Sequence, residues 1–132
     1  MTFITALTLY GLLSLILIGN EIFYTYGTQG FGFGFSANRK TVEKSPLGLR
    51  IQRTYQNHVE AASYGVPVLA AAALTGLQGQ GPELAALLFI LGRTAFALLY
   101  YTGIPFIRVP AFLLSTLSTL YIAYSVLMAT MA

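Results

Sequence analysis

The chain has no cysteine, a single histidine and few charges: charged residues fill only 8% of its 132 positions. Without cysteine there are no disulfides, no thiolate metal sites and no cysteine nucleophile. One histidine is too few for a protein-built metal site, so no metal is expected. A soluble domain carries about 25% charged residues, whereas here hydrophobic residues reach 56%. So little polar surface cannot cover a water-soluble globule, and lipid is expected to be the main solvent. The apolar runs are continuous rather than alternating, which does not fit the strands of a membrane β-barrel. The start also lacks the basic region of a signal peptide, its apolar run is too long, and Gly19-Asn20-Glu21 makes a poor cleavage site. It is read as a permanent first span.

Four segments are long and apolar enough to cross a hydrocarbon core of ~30 Å as helices: Phe3 to Tyr24, Val59 to Gln78, Glu83 to Tyr101 and Ile107 to Met131. The expected fold is all-α, a single membrane domain over residues 1–132 built as a four-helix bundle of up-down topology. A long connection over 25–45 joins the first two spans. Its glycines at 27, 30, 32 and 34 disfavour helix, and Phe31, Phe33 and Phe35 between them suggest an aromatic loop at headgroup level. Ser45 is placed as an N-cap with Pro46 at the first helical position. The second helix is expected to run from there to about Gln78.

Charge placement sets the orientation. Arg39, Lys40, Lys44, Arg50 and Arg53 lie in or just after the first connection and Arg108 at the third, while Gly79-Gln80-Gly81-Pro82 has no basic residue. The positive-inside rule puts the first and third connections in the cytoplasm and both termini outside. This asymmetry accounts for the net charge of +3 without a nucleic-acid partner, and the basic end is suited to anionic lipid.

Polar residues on the helices carry the functional signal. At 100° per residue, Arg50, Arg53, Asn57 and Glu60 fall within ~80° of arc on the second helix, with Gln56 at the edge. Buried intramembrane charge is costly and marks a functional site by default. Arg93 and Tyr100 share a face of the third helix with Phe96, and Arg108 opens the fourth, in line with Phe112, Ser115 and Thr119. A cavity between helices, open to the cytoplasm, is the expected result. Arg50, Arg53 and Arg108 suit carboxylates, Glu60 suits an ammonium, and Asn57 suits a peptide group. An intramembrane Arg93 needs a partner, and Glu60 is expected to bridge to it while also meeting ligand. Ser115 and Thr119 are expected to satisfy themselves on helix carbonyls, and His58 to make a structural or headgroup contact.

The pattern of Arg53, Asn57 and Glu60, followed by Arg93, Tyr100 and Arg108, resembles the MAPEG superfamily, the membrane-associated proteins in eicosanoid and glutathione metabolism. That family includes the microsomal glutathione transferases, and the resemblance covers nearly the whole chain. It implies a homotrimer with glutathione held between neighbouring subunits at the cytoplasmic side. It further implies that Arg53, Asn57 and Glu60 hold the glutathione backbone and that Tyr100 lines the site. Arg108 is the implied catalytic residue, stabilising the thiolate, and Arg93 braces the helices. Departures from the family pattern are Asn20 and Glu21 where a basic residue is common, Gln56 in place of a second arginine, and Phe96 in place of His or Tyr. The implied activity is a glutathione-dependent transferase or peroxidase acting on a lipophilic electrophile. The rival is a non-catalytic lipid-binding or scaffold subunit of a membrane assembly.

Overall fold

The computed structural model describes residues 1–132. It is all-helical: α1 spans Phe3–Gln29, α2 Phe31–Phe35, α3 Pro46–Leu74, α4 Gln80–Thr102 and α5 Arg108–Met131. By length and composition, α1, α4 and α5 can each cross a membrane. The long helix α3 is not among them, because its first half carries the polar stripe. Many large side chains on the outside are apolar: Leu15 is 67% exposed and Phe23 is 76% exposed. Such a coat is stable against lipid rather than water.

The chain between residues 25 and 45 departs from the expected loop. α1 continues to Gln29 through Gly27, and the Phe-Gly run forms the short helix α2. Its glycines lose their usual helix penalty to aromatic packing: Tyr26 stacks on Phe31 at 5.4 Å between ring centroids, and Phe31 stacks on Phe35 at 5.8 Å. The ring of Tyr26 fills the space a side chain at Gly34 would need. Only residues 36–45 remain as irregular connection.

α3 starts where its residues dictate. The Ser45 hydroxyl accepts from the Gly48 amide at 3.1 Å, with Pro46 in the first turn. Its end comes at Leu74, four positions before the expected Gln78. Gly76 adopts a left-handed φ of 66°, and the Leu77 and Gly76 amides fold back onto the Ala72 and Ala73 carbonyls at 3.1 and 3.2 Å. That pair of bonds is the Schellman motif, which satisfies the last carbonyls and stops the helix.

The long helices pack through small residues. α4 lies mainly along α5 and α1 along α3, while α3 also meets α4 and α5. Backbone meets backbone at Gly92, where an added Cβ would sit 2.9 Å from both the Ala111 carbonyl oxygen and the Ser115 amide nitrogen of α5. At Gly65, an added Cβ would stand 2.7 Å from the ring of Phe89. Phe3, Tyr10, Leu69, Phe89 and Ile122 fill the core between α1, α3, α4 and α5. Contacts between ends fix the relative directions. Tyr24 near the end of α1 hydrogen-bonds Ser45 at the start of α3, and Arg50 near the start of α3 reaches Tyr101 at the end of α4. The N-terminal amine meets the Glu83 carbonyl at the start of α4 at 3.4 Å.

Candidate functional site

α3 presents two faces. Ile51, Thr54, His58, Ala61, Gly65 and Leu69 are buried against the other helices. About 135° around the same helix lies the polar stripe, where Arg53, Gln56 and Glu60 are exposed and Asn57 is half-buried. These four residues and Tyr100 of α4 line one open cavity of about 240 Å³. The cavity therefore lies open on the outer side of α3 and α4, between residues of these two helices. Its lining contains one cation, one carboxylate, two amides and a phenol. Together these can hold carboxylate, ammonium and peptide groups.

Arg108 joins this group from the start of α5. Its guanidinium carbon lies 4.4 Å from the centroid of the Tyr100 ring, a cation–π contact. That places a fixed positive charge beside the cavity without making Arg108 part of its lining. Phe96 continues the aromatic wall inward, its centroid 5.5 Å from Tyr100 and 5.9 Å from Phe112. The left-handed Gly103 ends α4 just before this corner, with φ 74°, and Phe106 holds φ 71° without being glycine. Such a backbone costs on the order of 1–3 kcal/mol, and it lies two residues before Arg108.

Arg93 is 1% exposed and among the largest fully buried side chains. The ion pair expected between Glu60 and Arg93 does not form. Instead the Arg93 Nη2 donates to Asn57 Oδ1 at 2.9 Å, and its guanidinium carbon lies 4.9 Å from the Phe96 centroid. Glu60 stays outside and accepts from Gln56 Nε2 at 3.4 Å. The reason is stagger: α3 and α4 pack so that Asn57, one turn before Glu60, comes level with Arg93. A guanidinium has no acceptor, so the Asn57 atom facing it is the carbonyl oxygen. The Asn57 amide group then keeps its two donors for whatever enters the cavity. Arg93 Nε and Nη1 have no hydrogen-bond partner.

Arg50 does not line the cavity. Its Nε donates to the Tyr101 carbonyl at 3.1 Å, and the guanidinium packs over Gly103. It thus caps the C-terminus of α4, where a cation complements the helix dipole. Ser115 and Thr119 are buried and donate to the Phe112 and Ser115 carbonyls at 2.9 Å each, as self-satisfied helix hydroxyls do.

His58 is more central than its place beside the stripe suggested. It is 1% exposed, stacks on Tyr10 at 4.0 Å between centroids, and its Nε2 lies 2.8 Å from Ser14 Oγ. The Tyr10 hydroxyl donates to the His58 carbonyl. This cluster ties α1 to α3 directly behind the stripe. Its sequence signal was faint: Tyr10 and Ser14 are one turn apart and are the polar side chains of the otherwise apolar stretch 9–19 of α1.

Three helices able to span a bilayer and an apolar outer coat define an integral membrane protein, with a polar cavity at its basic end. The MAPEG family model matches residues 3–128, and the chain belongs to the MAPEG family. Membership supports a role at a membrane in glutathione-related or eicosanoid metabolism, and glutathione is the substrate this family generally uses. Neither a curated protein nor a solved structure matches the chain significantly.

Proposed function

We propose that the protein is a glutathione-dependent membrane transferase or peroxidase acting on a lipophilic electrophile. One observation carries this reading: Arg53, Gln56, Asn57, Glu60 and Tyr100 meet around a single cavity, with Arg108 stacked on Tyr100 at its edge. Arg53 pairs with a glutathione carboxylate, Glu60 takes its ammonium, and the donors of Asn57 meet a peptide carbonyl. Gln56 assists Glu60, to which it already donates. Arg50 serves the site only through the end of α4 that it caps.

In this reading Arg108 is the catalytic residue. A cation near the glutathione thiol lowers its pKa from the usual ~8.5 and raises the thiolate fraction at neutral pH. The thiolate attacks the electrophilic carbon, a C–S bond forms, and the leaving group departs with the displaced electron pair. With a hydroperoxide the thiolate attacks the outer oxygen and releases an alcohol. A second glutathione then converts the resulting sulfenic acid to the disulfide and water.

The cavity also suggests the assembly. At about 240 Å³ it lies below the ~300–1,000 Å³ of complete small-molecule sites, and its charged wall faces outward. We take α3 as the fourth span of an up-down four-helix bundle, a single membrane domain that assembles as a homotrimer. A second copy then covers the stripe and completes the site. Basic residues cluster at that end of the chain, which supports a site on the cytoplasmic side with both termini outside.

A non-catalytic lipid-binding or scaffold subunit is the second reading, favoured by the position of Arg108 outside the cavity lining. The two part on conjugation of a generic electrophile by the purified protein. The enzyme reading expects glutathione conjugation and an ultraviolet thiolate signal, both lost in Arg108→Ala. Binding without either would favour the scaffold.

A further inference from the structure

A second cavity, of about 500 Å³, lies between the end of α1, α2 and the chain leading into α3. Its volume is within the ~300–1,000 Å³ range of small-molecule sites, and the glutathione reading makes no use of it. Both signs of charge line it: Glu21 and Glu43, with Arg39, Lys40 and Lys44. Arg39 is held in place by the Gly34 carbonyl and by the ring of Phe33. The other four make no side-chain hydrogen bond or ion pair within the chain, although they share one cavity. Opposite charges that line the same space without neutralising one another suit a ligand that carries both signs.

A smaller cleft of about 140 Å³ adjoins it, sharing Glu21, Thr25 and Arg39 and adding Ile18, Ile22 and Tyr26. Ile22 is 44% exposed, so the cleft opens on the outer face of α1, a helix apolar enough to span a bilayer. Beside it, Phe31 and Phe35 are 66% and 76% exposed and form one aromatic cluster with Tyr26. Exposed aromatics of this kind settle at the headgroup level of a membrane. The polar chamber therefore sits where headgroups are, and the cleft leads from it past Ile18 and Ile22 along the lipid-facing side of α1.

We propose that these two spaces hold one phospholipid with a primary-amine headgroup, of the phosphatidylethanolamine type. Its phosphate lies among Arg39, Lys40 and Lys44, its ammonium between Glu21 and Glu43, and one acyl chain against Ile18 and Ile22. A quaternary choline headgroup has no N–H to donate to the two carboxylates. A glycerol headgroup has no cation for the two carboxylates and offers them only neutral hydroxyls. The site is independent of the glutathione reading, since it shares no residue with the Arg53 cavity.

The test is native mass spectrometry of the full chain in detergent, offered phosphatidylethanolamine, phosphatidylcholine and phosphatidylglycerol with identical acyl chains. The ethanolamine lipid is expected to be retained about five- to tenfold better, the range that one or two charge-assisted hydrogen bonds supply. Lys44→Gln removes a phosphate contact that all three lipids share and lowers their retention alike, whereas Glu21→Gln removes charge at a partnerless side chain, leaves helicity by circular dichroism unchanged, and abolishes the preference. Arg53→Ala, in the other cavity, keeps it. Soluble glycerophosphoethanolamine competes only in large excess, because it leaves the surface of Ile18 and Ile22 uncovered. Equal retention of the three lipids, or a preference that survives in Glu21→Gln, would overturn the proposal. So would competition by the soluble headgroup at equal concentration. Glutathione binding is read separately, so its failure leaves the lipid result intact.

Discussion

The two faces of α3 have the same backbone and the same length of chain, yet opposite duties. One face packs: Ile51, Thr54, His58, Ala61 and Gly65 are buried among α1, α4 and α5. The other holds Arg53, Gln56 and Glu60 in the open. The packing face is made of small and β-branched residues, with His58 stacked on Tyr10 and in contact with Ser14. The open face is made of groups whose hydrogen-bonding capacity is largely unspent. Asn57 lies between the two, half-buried, and its bond to Arg93 fixes the open face to the core. The difference shows how a helix with a costly polar stripe is kept in place: its stability comes from the other side.

Four substitutions break or sharpen this contrast. The largest effect is expected in the core that holds α3, where α4 packs on α5. Gly92→Leu forces side-chain atoms into the α5 backbone, which an added Cβ would already approach to 2.9 Å. Overpacking of that kind costs about 3 kcal/mol, to be read as a large fall in melting temperature in detergent. Next, Arg108→Ala is expected to cut turnover about a hundredfold, near 2.7 kcal/mol, the scale for losing one charge-stabilising donor. Glutathione affinity should fall much less, and Arg108→Lys should recover part of the rate.

Arg93→Met tests the joint between the faces. Replacing a buried, under-partnered charge by an apolar chain of similar volume is often neutral or stabilising, so the melting temperature should hold or rise. Asn57 then loses its orienting partner, and glutathione should bind about tenfold more weakly, ~1.4 kcal/mol. A large loss of stability with affinity intact would mean that Arg93 serves the core alone. The smallest effect belongs to the open face. Gln56→Ala should change the melting free energy by no more than ~0.5 kcal/mol, as surface substitutions usually do, while measurably weakening glutathione binding.

Much of this architecture can be read from the chain. Ser45-Pro46 starts α3 because cap and first-turn chemistry are local. α4 and α5 follow from uninterrupted apolar runs, and the residues of the cavity follow from helical spacing. What failed to be legible depends on distance in space. Glycines at 27, 32 and 34 argue for a loop, and only the stacking of Tyr26 on Phe31 shows why helix persists. Gly76 could be seen in the sequence, but not that its left-handed turn would end α3 at Leu74. The partner of Arg93 depends on how far α4 slides along α3, and one helical turn separates Asn57 from Glu60. His58 moved inward for the same reason: its partners Tyr10 and Ser14 are more than forty positions away.

Titration of glutathione into the purified protein in detergent, alongside Asn57→Ala, tests the central claim most directly. The account predicts saturable binding that Asn57→Ala weakens by at least about tenfold with little change in melting temperature. No binding, or equal affinity in the two proteins, would contradict the assignment of the α3 polar face as the glutathione site.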